Sequence, residues 1–140
     1  MSALARYFLS QGWKVSGSDH TKSEIVEGIK KENVPVNFGY DKSNIKRNID
    51  LVVYTSAFKD GNPELKRAKT LGIKTQTYPQ ALGELTKKYW TVAISGSHGK
   101  STTSGLISLI LVKAGFDPTV IIGAKLKELQ NSNFRLGKSK

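Results

Sequence analysis

The run Thr91-Val92-Ala93-Ile94-Ser95-Gly96-Ser97-His98-Gly99-Lys100-Ser101-Thr102-Thr103 combines the residue types that hold a polyphosphate. Closely spaced phosphate oxygens are met by backbone N–H groups, which reach them only where side chains stay out of the way. Gly96 and Gly99 remove the Cβ at the two points of closest approach. A helix beginning near Lys100 adds free N–H groups and the positive end of its dipole. The Lys100 ammonium reaches the β- and γ-phosphates as a point charge, which makes it the catalytic candidate. The Ser101 hydroxyl is the candidate Mg²⁺ ligand, with Thr102 second. The nucleotide set is therefore Gly96, Ser97, His98, Gly99, Lys100, Ser101 and Thr102, with a nucleoside triphosphate and Mg²⁺ as the expected ligands. The side chain of His98, in mid-loop, is expected to point away.

The full phosphate-loop pattern G-x-x-x-x-G-K-[ST] asks for glycine at position 94, where this chain has Ile94. A bare Gly-Lys-Ser is weak by itself; its setting gives it weight. The β-branched run Thr91–Ile94 predicts a strand before the loop. Leu106, Leu109, Ile110 and Lys113 at helical spacing predict a helix from about Lys100 to Ala114, closed by Gly115.

These elements sit in an alternating series. Strands are predicted at Lys14–Gly17, Val34–Phe38, Asp50–Thr55, Ile73–Thr75 and Thr119–Ile122. Helices are predicted at Ser2–Gln11, Lys22–Glu32, from Pro63 to Leu71 and from Tyr78 to about Lys88. Alternation of this kind implies βαβ units and an α/β fold with a parallel sheet. Such sheets bind ligands beyond the carboxyl ends of their strands. Asp19 and Thr55-Ser56 lie at two such ends, and an acidic residue at the first can hydrogen-bond a ribose hydroxyl. Asp19 could equally cap the next helix. His20 reads as a surface-loop residue. The tail from Asn131 to Lys140 looks like the approach to a further strand that never comes.

Composition narrows the function. The net charge of +11 arises from 22 basic and 11 acidic residues and raises the question of nucleic acid. The charge is spread, however: residues 1–90 carry 15 basic and 9 acidic side chains, and residues 91–140 carry 7 and 2. With no basic stripe, a nucleotide is the better polyanion and nucleic acid is not an expected partner. There is no cysteine, so neither a disulfide framework nor a thiolate metal site is available. No apolar run is long enough to span a membrane and no signal-peptide core precedes Arg6, so the expected compartment is the cytoplasm.

The ordered series Gly17-Ser18-Asp19, Asp50-Leu51-Val52-Val53-Tyr54-Thr55-Ser56-Ala57, Asn62-Pro63-Glu64-Leu65, Ala81-Leu82-Gly83-Glu84-Leu85, Gly96-Ser97-His98-Gly99-Lys100-Ser101-Thr102-Thr103 and Asp117-Pro118-Thr119 resembles the Mur ligases, along essentially the whole chain. The resemblance implies an ATP-dependent, amide-forming ligase of peptidoglycan synthesis. In that family ATP phosphorylates a carboxylate to an acyl phosphate, an amine attacks, and phosphate leaves. The loop His98 points to UDP-N-acetylmuramate and L-alanine as substrates, or to a recycling ligase that joins a tripeptide. A nucleotide-binding module without ligase activity is the remaining alternative. Lys100 would neutralise the transferring phosphate. Ser101 would hold Mg²⁺ where the family usually has threonine. Asp19, Thr55, Ser56 and Ala57 would line the UDP-sugar site.

The resemblance also divides the chain. Residues 1–88 correspond to a Rossmann-like UDP-sugar domain lacking its first strand and glycine-rich turn. Residues 89–140 correspond to the start of a P-loop ATPase domain, the family's central domain, with the boundary between Lys87 and Trp90. The acidic residues that complete the family's Mg²⁺ site would follow Lys140. The chain alone is thus expected not to catalyse ligation.

Overall fold

The structure, a computed structural model, describes residues 1–58 and 61–139; Lys59, Asp60 and Lys140, the last the end of the expected ATP-binding segment, lie outside them. Contacts divide the chain into two compact units. One is Lys14–Leu85 together with Met1; the other is Ser2–Trp13 together with Thr86–Lys140.

In the first unit, strand β1 (Gly17–Asp19) pairs in parallel with β2 (Val36–Phe38), and β3 (Leu51–Tyr54) pairs in parallel with β4 (Lys74–Thr77). Helices alternate with these strands, as the sequence predicts: α2 (Glu24–Lys31), α3 (Pro63–Thr70) and α4 (Tyr78–Thr86). Each helix begins on a local signal. Ser23 caps α2 by accepting from the Val26 N–H. Asn62 caps α3 by accepting from the N–H groups of Glu64 and Leu65, with Pro63 at the first helical position. At α4, Thr77 Oγ1 accepts from the Gln80 N–H while Gln80 Oε1 accepts from the Thr77 N–H, a reciprocal capping box. Val26 and Ile29 of α2, Val34, Ala68 of α3, and Ala81 and Leu85 of α4 are buried.

The second unit joins α1 (Ser2–Ser10), α5 (Lys100–Lys113), β5 (Val120–Leu126) and β6 (Ser132–Arg135). Val120, Ile122 and Leu129 form its core, with Leu126 packed beside them. Helix α1 buries Ala3, Leu4 and Tyr7 and is tied to β6 through the buried Asn133. That amide accepts from Arg6 Nη1 at 2.5 Å and donates to Ser2 Oγ at 2.9 Å.

Three expectations need correction. β6 is a real strand, and it runs antiparallel to β5; the parallel pattern therefore holds only in the first unit. Thr91–Ile94 is not a strand: the segment carries strand-forming residues but pairs with nothing among the described residues, and Val92 is exposed. A β-branched run becomes a strand only when a neighbour completes its ladder. On α5, Leu106 and Ile110 are exposed, while Gly105 and Ser108 are buried. The helix turns its small-residue face to β5, with Gly105 against Leu126.

Candidate functional site

The phosphate-loop candidate ends on the first turn of α5. Gly99 is the N-cap residue, with φ 75° and ψ −5°, and no side chain caps the helix. Gly96 has φ 147°. Both values lie where a Cβ is disfavoured, and space is not the constraint: a Cβ on Gly96 would meet only the His98 carbonyl oxygen, at 3.6 Å. The glycines are thus needed for the path of the backbone, which brings the loop to a helix N-terminus free of side-chain caps. That is a setting for an anion.

Lys100 folds back over the loop. Its Nζ donates to the carbonyl oxygens of Gly96 at 2.5 Å and Ser97 at 3.1 Å. The ammonium thereby sits above the backbone that would meet a phosphate. Ser101 and Thr102 follow on the helix; Ser101 is half-buried, its hydroxyl facing β5 near Gly123, and Thr102 is exposed. Ser97 and His98 are exposed loop residues. Backbone N–H groups at an uncapped helix N-terminus with a lysine beside them have the chemistry a polyphosphate requires. For Mg²⁺ the Ser101 hydroxyl is a suitable hard oxygen donor, and among the described residues no cluster of three or more His, Cys, Asp or Glu could hold a metal ion.

The second candidate set lies in the first unit. Asp19 is the last residue of β1; its Oδ1 accepts from the Thr21 N–H at 2.9 Å, and its carbonyl accepts from the Gly39 N–H beyond β2. Thr55, Ser56 and Ala57 turn sharply after β3: the Ala57 N–H donates to Thr55 Oγ1, and the Phe58 N–H to the Thr55 carbonyl. Both segments occupy the carboxyl ends of parallel strands.

Sequence reasoning missed what joins these two segments. The His20 ring meets Tyr40 edge-on at 4.2 Å between centroids, and Tyr40 meets Phe58 in the same way at 4.8 Å. His20 is in a surface loop as expected, but it has a ring partner. Burial, and then the charges of Asp19 and Glu64, push the Tyr40 phenol up. The Glu64 carboxylate is buried. It accepts from Ser18 Oγ and from Asn44 Nδ2, both at 2.7 Å, and Asn44 Oδ1 in turn accepts from Asn37 Nδ2. The one sequence signal was Asn62-Pro63-Glu64-Leu65, which places an acidic residue in the first turn of α3.

Comparison with known proteins identifies the family. The sequence profile of the Mur ligase family, catalytic domain, matches residues 1–90. The chain is 47% identical, over its whole length, to a UDP-N-acetylmuramate–L-alanine ligase of Acetivibrio thermocellus, and spans 30% of that protein. The crystal structure of a UDP-N-acetylmuramate–alanine ligase from Thermotoga maritima superposes with a TM-score of 0.92 at 28% identity, over 98% of this chain and 32% of that one. A murein peptide ligase from Psychrobacter arcticus gives 0.87 at 27% identity, over all of this chain and 32% of its own. With its family profile matched over most of its length and a loop that closes on a helix N-terminus, the chain belongs to the Mur ligase family.

Proposed function

We propose that this chain is part of a cytoplasmic ATP-dependent ligase that joins L-alanine to UDP-N-acetylmuramate in peptidoglycan synthesis. The observation that carries the nucleotide half of this reading is the Gly96–Lys100 loop, whose two glycines hold φ values disfavoured for other residues and whose lysine closes over it. The substrate half is supported by 47% identity along the whole chain to a relative of that name. Residues 1–88 would contribute Asp19, Thr55, Ser56 and Ala57 to the UDP-sugar, and residues 89–140 the phosphate loop. The contact boundary at Leu85/Thr86 falls close to that division, although residues 2–13 pack with the later segment.

Bound ATP would supply a phosphoryl group that turns a carboxylate oxygen into a leaving group. Lys100 would exchange its two carbonyl partners for phosphate oxygens and offset their charge. Gly96, Ser97, His98 and Gly99 would present backbone N–H groups, with Thr102 beside them on the first turn. Ser101 would offer one oxygen to Mg²⁺. The chain spans about 30% of the length of that relative.

Calorimetric titration of the chain with Mg-ATP tests the reading. Lys100→Ala should weaken binding by at least tenfold, the size of one lost charge-assisted contact. Unchanged binding in that variant would overturn it. The likeness to a murein peptide ligase supports a second reading, in which a peptide supplies the amine. Phosphate release by the whole ligase, with L-alanine or a tripeptide as acceptor, separates the two.

A further inference from the structure

We infer that the buried Glu64 is a positioning residue, which fixes the Asp19 carboxylate for its ligand and acts through hydrogen bonds to Ser18 and Asn44; this rests on reading residues 1–88 as the UDP-sugar domain.

An acid in the first turn of a helix is favoured at the surface by the helix dipole and needs no burial. Glu64 is nevertheless buried, and its two oxygens accept from outside α3. One takes the Ser18 hydroxyl of β1 and the other the Asn44 amide in the turn after β2, both at 2.7 Å. These donors are neutral. Taking a carboxylate out of water for neutral donors is a poor route to stability, because an apolar side chain of similar bulk often serves as well. What the carboxylate provides is geometry: one rigid group that accepts from two segments at once.

That geometry converges on Asp19. Ser18 is its chain neighbour on β1. Asn44 Nδ2 also donates to the Gly39 carbonyl at 3.4 Å, and Asn44 Oδ1 accepts from Asn37 Nδ2 of β2 at 2.8 Å. The Gly39 N–H in turn donates to the Asp19 carbonyl at 2.9 Å. Asp19 is thus held through Ser18 on one side and through Gly39 on the other, and both lines end on Glu64. Glu64 is itself anchored: Asn62 Oδ1 accepts from its N–H at 2.9 Å, and Ala68, one turn on, is fully buried. The Asp19 side chain accepts from the Thr21 N–H and keeps acceptor capacity beyond that bond. A carboxylate already held in place binds a ligand hydroxyl without a further ordering cost.

Calorimetric titration of the full chain with UDP-N-acetylmuramate, in a double-mutant cycle of Glu64→Leu and Asp19→Asn, tests the inference. Glu64→Leu keeps the bulk and removes both acceptors. It should weaken the ligand about tenfold, and Asp19→Asn should then cost several-fold less than in the unaltered chain. Glu64→Gln, whose carbonyl can accept from Asn44 while its amide donates to Ser18, should restore most of the affinity. Additive effects in the cycle, or equal affinity in a folded Glu64→Leu, would overturn the positioning role and leave the UDP-sugar reading standing. Failure of the unaltered chain to bind UDP-N-acetylmuramate would overturn that reading and the role with it. Should Glu64→Leu not fold, Ser18→Ala takes its place in the cycle; the same non-additivity is expected, and additivity again overturns the role.

Discussion

Two side chains show how a residue acquires meaning from what it touches. Lys100 is legible as a phosphate ligand from its place after Gly99, yet its carbonyl partners emerge only from the folded loop. Glu64 is the opposite case. In sequence it is an ordinary first-turn acid of α3; in the structure it is buried at 7% exposure and joins Ser18 to Asn44. Glu64→Ala would leave two donors without their acceptor. It should destabilise the chain by about 1–3 kcal/mol and loosen the Asp19 and Tyr40 segments together. Urea unfolding of the variant measures the first effect. A loss within a few tenths of a kcal/mol would mean that the network carries no stability.

At the scale of elements, helices were more legible than strands. Caps are local, so Ser23, Asn62-Pro63 and the Thr77/Gln80 box each mark a start within one or two residues. Strands depend on a partner: Lys14–Gly17 was predicted and Gly17–Asp19 forms, because the ladder to β2 begins at the Gly17–Val36 pair. The same dependence leaves Thr91–Ile94 without a ladder among the described residues. Hydrogen exchange should therefore find the amides of residues 91–94 exchanging far faster than those of β3, which pair with β4. Comparable protection in the two segments would show that the run is paired in solution.

Across the whole chain, the Tyr7–Tyr89 contact links groups 82 residues apart, with hydroxyl oxygens at 3.0 Å. Burial, followed by the hydrogen bond to Tyr89, pushes the Tyr7 phenol up to about 12 from its ordinary 10.0. The folded form thus holds this proton more tightly than the unfolded chain does. The resulting stability is fully present below pH 10 and is lost as pH rises through about 12. Thermal melts from pH 9 to 12 should show the decline, and Tyr89→Phe should shrink it. An identical decline in that variant would remove the contact as its cause. The net charge of +11 belongs to the same scale and is spread along the chain.

The amino-acid sequence by itself determined what depends on neighbours along the chain: the glycine-lysine loop, the helix starts, the alternation of strand and helix, and the ordered motifs that place the chain among the Mur ligases. Tertiary structure decided what depends on distant pairing. It set α1 against β5 and β6 through Asn133, ran β6 antiparallel to β5, and turned Gly105 and Ser108 of α5 inward in place of Leu106 and Ile110. It also drew His20, Tyr40 and Phe58 into one run of rings. The physical reason is the same in each case. Caps, turns and periodicity are settled within a few residues, whereas ladders, buried faces and ring contacts need a partner whose position no local pattern records.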